Sequence, residues 1–169
     1  MLFRSVVYHV PREELKLASR DRIIGNIKVA LAGYVAEKLK CGSTSDGVGS
    51  DFQHAMATAH EMVWRLGMGT NGFIGDYTVL LESWRFRGTG SGDQLSDGMK
   101  DRLNNETYRI LQECVKDVEE MLRREDVLLE RFTDELLKKN ELEYDDIEAV
   151  FAEYGRARGG VPPLAPSPS

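Results

Sequence analysis

The sequence predicts a mainly α-helical protein, and three observations lead to that prediction. Apolar residues recur every three or four positions over residues 24–39, 55–66 and 103–122, which is the period of an amphipathic helix. Only two short runs, at residues 5–10 and 77–81, have the composition of a β-strand. From residue 155 onward the chain holds four of its five prolines and shows no apolar period. We therefore expect a helical domain with a short N-terminal strand and a disordered C-terminal tail.

The composition is that of one soluble globular domain, with 169 residues, 41% hydrophobic and 30% charged. We assign residues 1–154 to this domain and residues 155–169 to the tail. The net charge of -6, without a local basic patch, argues against a nucleic-acid partner. No stretch approaches 18 apolar residues, so the given residues are not expected to cross a membrane. Two cysteines without a C-x-x-C pair indicate a reducing, cytoplasmic setting.

Capping residues indicate where the helices begin and end. Ser19 is a predicted N-cap, and Gly42 is a predicted left-handed residue just beyond the end of the same helix. Ser50 and Gln53 match a capping box, which predicts that a second helix starts at Ser50 or the next residue. The remaining helices are predicted at residues 96–122, 124–138 and 144–154.

The N-terminal run Ser5–Val10 reads as a strand that has no partner strand before it. A single strand needs a partner to be stable. We therefore expect the sequence to be the later part of a longer protein.

The segment His60–Trp64 reads HEMVW and partly matches the zinc-protease helix motif H-E-x-x-H. That motif needs histidines at i and i+4, and here the second position is Trp64. His54 cannot replace the missing histidine, because it lies roughly 600° of helix rotation away from His60. We interpret His60 and Glu61 as an exposed pair on an amphipathic helix, and we assign no catalytic residue.

Two carboxylates remain as candidates, although neither forms a site alone. Asp51 follows a glycine-rich loop at a helix start, so it is either a helix-initiating acid or one metal ligand. Glu37 follows a patch of small residues, at 30–36, and by itself reads as an exposed helix residue. No G-x-x-x-x-G-K-[ST] loop is present, so these residues are not expected to hydrolyse ATP.

Several segments, taken in order, resemble the peptidase domain of FtsH-type ATP-dependent zinc metalloproteases. Residues 32–38, AGYVAEK, resemble the family's G-G-R-x-A-E-E, and residues 48–55 resemble its G-A-x-N-D-[IL]-x-x-A. Residues 62–69 resemble M-V-x-x-[WY]-G-M-S, and Ser96-Asp97 resembles the start of S-D-E-T. The resemblance runs from about Val6 to Tyr154.

The resemblance implies a helical protease domain that forms a homo-hexamer beneath an ATPase ring and degrades protein substrates. Zinc in that family is held by the two histidines of H-E-x-x-H and by the aspartate of N-D, which matches Asp51 here. Glu37 matches the first acid of A-E-E and is expected to support the site. Membrane anchoring would come from segments outside this chain, which leaves this domain in the cytoplasm.

The chain departs from the family pattern at several points. The H-E-x-x-H segment is missing, Tyr34 replaces an arginine, Lys38 replaces an acid, and Ser50 replaces an asparagine. We therefore predict a fragment of an ATP-dependent zinc metalloendopeptidase that is inactive on its own. The alternatives are a non-catalytic FtsH-like structural subunit and a helical protein-interaction module. The long helix should pack on the first two helices in a protease fold but not in such a module.

Overall fold

The computed structural model describes residues 18–70, 75 and 95–155, and within these ranges the fold is helical. The five α-helices of the described residues are α1 (Arg20–Cys41), α2 (Gly49–Trp64), α3 (Asp97–Arg124), α4 (Asp126–Lys139) and α5 (Tyr144–Glu153). A 3₁₀ turn at Asp46–Val48 lies between α1 and α2. The mainly α prediction is confirmed. The predicted strands at residues 5–10 and 77–81, and the tail beyond residue 155, lie outside the described residues.

Helix α1 begins and ends as its capping residues predict. The Ser19 hydroxyl accepts a hydrogen bond from the Arg22 N–H at 3.3 Å, which satisfies one of the free donors of the first turn. Gly42 has φ of 71°, the left-handed conformation that ends a helix at little cost only for glycine. The buried residues of α1 recur every four positions, and they are Ile23, Ile27, Leu31 and Val35.

The start of α2 differs from the prediction. Ser50 is not the N-cap, because the helix begins at Gly49 and the cap position is Val48, whose side chain makes no capping bond. The 3₁₀ turn runs directly into α2, and the Gly49 N–H donates to the Asp46 carbonyl oxygen. Ser50 therefore already lies inside the first helical turn, and the predicted capping box with Gln53 does not begin this helix.

The described residues divide into two compact units, one that ends at residue 120 and one that begins at residue 121. In the first unit, one cluster of buried side chains joins α1, α2 and α3. Its members from α2 and α3 are Ala55, Ala59, Met62, Val63, Leu103, Ile110 and Cys114. The long helix thus shares a core with the first two helices, as expected for a protease fold and not for a separate interaction module.

Cys114 and Lys28 show how polar groups are placed at the border of this core. Burial raises the pKa of the Cys114 thiol, so the side chain is a neutral, small apolar group. Nearby, the Lys28 ammonium lies 2.7 Å from the Asp117 carboxylate, and this bond raises the pKa of Lys28. The ion pair links α1 to α3 at the rim of the core.

In the second unit, α4 packs against α5 through aromatic rings and charged groups. The rings of Phe132 and Phe151 meet edge to face with centroids 5.2 Å apart. The Arg131 guanidinium donates to both oxygens of Glu153, at 2.9 and 3.0 Å, and to Glu135 at 2.7 Å. Lys139 contacts Asp146 at 2.6 Å. Leu128 and Val150 are buried, whereas Leu136, which the helical period of residues 124–138 places on the apolar side, is exposed.

We predict that Gly33→Ala stabilises the first unit. An added Cβ at Gly33 meets only the Val48 Cγ1 atom, at 3.8 Å, which is ordinary van der Waals contact. Because alanine loses less backbone entropy in a helix, the free energy of unfolding should rise by about 0.5–1 kcal/mol. Chemical denaturation followed by circular dichroism measures the change.

Gly42→Ala is the matched control for Gly33→Ala. At position 42 the alanine must adopt the left-handed backbone conformation of Gly42, which costs roughly 1–2 kcal/mol. If Gly33→Ala lowers the free energy of unfolding as Gly42→Ala does, then α1 needs glycine at position 33.

The charged groups between α4 and α5 predict a response to acid. Hydrogen bonds from Arg131 and Lys139 hold the pKa values of Glu153 and Asp146 below their ordinary 4.5 and 3.8. A carboxyl with a lowered folded pKa contributes fully above its unfolded value, and the contribution is lost as pH falls through the folded value. Both cations have raised pKa values, so they stay charged throughout.

We therefore expect residues 144–153 to lose helical Cα chemical shifts in NMR spectra as the pH falls from about 5 to about 2, below the lowered folded pKa values. Arg131→Gln should produce part of that loss already at pH 6. Arg102→Gln, which removes an exposed charge from α3, should leave these shifts unchanged. Helical shifts that persist at about pH 2 would mean that the charged groups do not hold α5.

Candidate metal-ligand site

Asp51 is exposed in the first turn of α2, on the side of the helix that leads into the core. It precedes Ala55 by four positions and Ala59 by eight, and both of these alanines are fully buried. Residues four apart lie on one side of a helix, so Asp51 continues the buried row beyond the edge of the core. Within the described ranges, no hydrogen bond or ion pair engages its carboxylate.

Glu37 does not lie free on the surface of α1, as its sequence context alone indicates. Its Oε2 atom accepts a hydrogen bond from the Ser45 N–H at 2.8 Å, and its Oε1 atom accepts from the Ser45 hydroxyl at 2.9 Å. The Ser45 hydroxyl oxygen also accepts from the Gly47 N–H at 3.3 Å, at the start of the 3₁₀ turn. Glu37 is thus bound to the loop that leads to α2.

Two further contacts join the same side of α1 to the start of α2. The Tyr34 and Phe52 rings have centroids 5.6 Å apart, and Val48 lies beside Gly33. Residues 33, 34 and 37 of α1 thus lie against residues 48, 52 and 45, respectively. Asp51 lies between residues 45 and 52, so α1 supports the backbone on both sides of it in the sequence.

The HEMVW segment behaves as its sequence predicts. His60 and Glu61 are exposed, and the imidazole of His60 stacks on the Trp64 indole with centroids 4.6 Å apart. Glu61 lies 4.0 Å from Arg65, one turn later on the same helix. Residues 60 and 64 therefore meet on one side of α2. Trp64 supplies an indole at the position where an H-E-x-x-H helix has its second imidazole.

Sequence reasoning missed a buried carboxylate at the other end of α2. Glu106 of α3 is only 7% exposed and accepts hydrogen bonds from both the N–H and the hydroxyl of Thr70. The Arg20 Nε atom donates to the Met68 carbonyl oxygen at 3.1 Å. An added Cβ at Gly69 would lie 3.2 Å from the Glu106 side chain. A glutamate on the apolar side of α3, one turn after Leu103, is the signal that could have indicated this contact.

Within the described ranges, no group of three or more His, Cys, Asp or Glu side chains is arranged to hold a metal ion. None of the helices in these ranges is long and apolar enough to cross a membrane. Asp51 is therefore at most one ligand of a site that takes further ligands from elsewhere.

Comparison with known proteins decides the family. The sequence model of peptidase family M41 matches residues 4–150. The chain belongs to peptidase family M41. Its match extends over α1, α2, α3 and α4 and most of α5, so the predicted resemblance to FtsH-type proteases is confirmed.

The curated M41 relatives are much longer than this chain. An ATP-dependent zinc metalloprotease FtsH of Borreliella burgdorferi is 28% identical over 81% of this chain and 22% of its own length. FtsH 3 of Conexibacter woesei is 32% identical over 87% of this chain and 19% of its length. FtsH of Thermus thermophilus is 27% identical over 87% of this chain and 23% of its length. The chain thus spans about a fifth to a quarter of these relatives.

We predict that Thr70→Val weakens the first unit. Valine keeps the shape of threonine but removes the hydroxyl that donates to Glu106. The loss of one hydrogen bond to a buried acceptor should lower the free energy of unfolding by about 1 kcal/mol. Urea denaturation measures the difference.

Thr58→Val is the control for Thr70→Val, because it makes the same chemical change on the half-buried side of α2. Substitutions away from such contacts usually change stability by less than about 0.5 kcal/mol. If the two variants are equally stable, the contact with Glu106 does not hold the segment that follows α2.

Proposed function

We propose that this chain supplies the helical, C-terminal part of the peptidase domain of an ATP-dependent zinc metalloendopeptidase, with Asp51 as a zinc ligand. The match to peptidase family M41 over residues 4–150 is the observation that supports this proposal. The relatives are named ATP-dependent zinc metalloproteases, which makes zinc the expected metal. Asp51 matches the aspartate that holds zinc in FtsH-type proteases.

The chemistry and placement of Asp51 fit a zinc ligand. A carboxylate oxygen is an ordinary zinc donor, alongside imidazole nitrogen and thiolate sulfur. The Asp51 carboxylate is exposed, and within the described part of the chain it is engaged by no other side chain. The remaining ligands would come from the H-E-x-x-H segment of the longer protein, since the described residues offer only this one.

The residues of this chain would bind and orient the metal and leave proton transfer to groups elsewhere. When bound, zinc would supply Lewis-acid activation of the scissile carbonyl and of a water molecule. Asp51 would supply negative charge from a rigid helix, because its neighbours Ala55 and Ala59 are anchored in the core. Tyr34 and Phe52 would shield one side of the helix start from water.

The proposal extends to the partners of the longer protein. Protein substrates, a homo-hexameric assembly and an ATPase region outside this chain follow from the family. We also propose that the domain lies in the cytoplasm and that any membrane anchor belongs to other segments. Light scattering on the full-length gene product would test the hexamer.

We predict that Asp51→Ala removes zinc from the full-length gene product. Loss of a direct ligand should weaken zinc binding by more than about 10-fold, because even outer-shell substitutions cost that much. Zinc content by mass spectrometry and hydrolysis of casein are the two measurements. Asp46→Asn is the control, since it neutralises an exposed acid of the same loop.

The result separates the proposal from its main alternative. Zinc bound by the parent protein and lost in Asp51→Ala supports a protease with Asp51 as ligand. If Asp51→Ala retains zinc, Asp51 is not a ligand and only helps to initiate α2. A full-length gene product that binds no zinc at all would instead be a non-catalytic structural subunit, to which the replacements at Tyr34 and Lys38 also point.

A further inference from the structure

We infer that Glu37 and Ser45 act together as positioning residues for Asp51, and this inference rests on the function proposed above. The Glu37 carboxylate holds the 3₁₀ turn from which α2 starts, and it thereby sets where the Asp51 carboxylate lies. Glu37 acts through the backbone and does not touch the metal.

The Glu37 carboxylate is engaged by a single residue. Both of its oxygens accept hydrogen bonds from one residue, Ser45, at 2.8 and 2.9 Å. A carboxylate that accepts two donors of a single residue fixes that residue in both position and orientation. Each oxygen is already engaged by Ser45, so Glu37 is not arranged as a second metal ligand beside Asp51.

A short hydrogen-bonded segment connects Ser45 to Asp51. The Ser45 hydroxyl donates to Glu37 and accepts from the Gly47 N–H. The bond from the Gly47 N–H caps the start of the 3₁₀ turn. The Gly49 N–H then donates to the Asp46 carbonyl oxygen, and α2 begins without a break. Five residues separate Ser45 from Asp51, and those from Gly47 onward lie in hydrogen-bonded turns. A shift of the turn would therefore move the carboxylate.

Within the described part of the chain, no side chain caps the first turn of α2 by a hydrogen bond. Helices commonly fix their first turn with a Ser, Thr, Asp or Asn side chain at the cap position. The cap position here is Val48, which makes no such bond. The position of the first turn then depends on contacts with α1, and the bonds between Glu37 and Ser45 are the polar ones among those described.

The test uses three variants that change this contact in steps. Glu37→Gln keeps the shape of the side chain but replaces one accepting oxygen by a donor. Ser45→Ala removes the hydroxyl and keeps the N–H. Ser45→Thr keeps both donors and serves as the conservative rescue. Glu61→Gln is the matched control, because Glu61 is exposed on α2 and its only charged partner among the described residues is Arg65, at 4.0 Å.

Amide hydrogen exchange on the 169-residue chain gives the readout that does not need zinc. Glu37→Gln and Ser45→Ala should speed exchange at Ser45, Gly47 and Gly49 by about 5- to 10-fold, the effect of losing one hydrogen bond. Ser45→Thr and Glu61→Gln should leave these rates unchanged. Amides near Val63 should be unaffected in every variant, which shows that the fold is intact.

Zinc affinity of the full-length gene product is the second readout. We expect Glu37→Gln and Ser45→Ala to weaken zinc binding by about 10-fold, with near-normal affinity in Ser45→Thr. Faster exchange with unchanged zinc affinity, while Asp51→Ala loses zinc, would overturn the positioning role and leave the proposed function in place. Unchanged exchange in Glu37→Gln and Ser45→Ala would overturn it as well. Zinc binding that survives Asp51→Ala, or is absent altogether, would overturn both.

Discussion

The close packing of α1 on α2 is the constraint on which the candidate site depends. Ala55 and Ala59 are fully buried, and each presents only a methyl group to the core. Small residues at a helix contact let the two backbones approach closely, so larger side chains of α1 such as Ile27 and Leu31 fill the space around them. The segment between α1 and α2 is short, and its described contacts are with α1.

Three carboxylates of the first unit illustrate how environment assigns different roles to similar side chains. Glu106 is buried and accepts two hydrogen bonds from Thr70, which makes it part of the architecture at the end of α2. Glu37 accepts two hydrogen bonds from Ser45 and holds the loop at the start of the same helix. Asp51 is exposed and has no partner among the described residues. Of these three carboxylates, Asp51 is the one without a partner in the described ranges, and it is the one that we propose as a zinc ligand.

Apolar periodicity predicted the helices well, because burial on one side of a helix is a local property of the sequence. The ends of α1 at Ser19 and Gly42 were also predictable, since caps depend on one or two residues. The start of α2 was not, because a 3₁₀ turn supplies its first hydrogen bonds in place of Ser50. Met56 belongs to the apolar pattern of residues 55–66 but is exposed, because the buried side of α2 is narrower than that pattern.

By itself, the sequence determined the helical class of the protein, the order of its helices and the identity of Asp51 as a candidate, because these depend on neighbours close in the chain. Only the tertiary structure decided what surrounds each candidate. The bonds between Glu37 and Ser45 span eight positions, and those between Glu106 and Thr70 span thirty-six. No local pattern specifies such pairs, because the two residues meet only after α1, α2 and α3 have packed. The difference between an engaged and a free carboxylate is therefore a property of the folded chain.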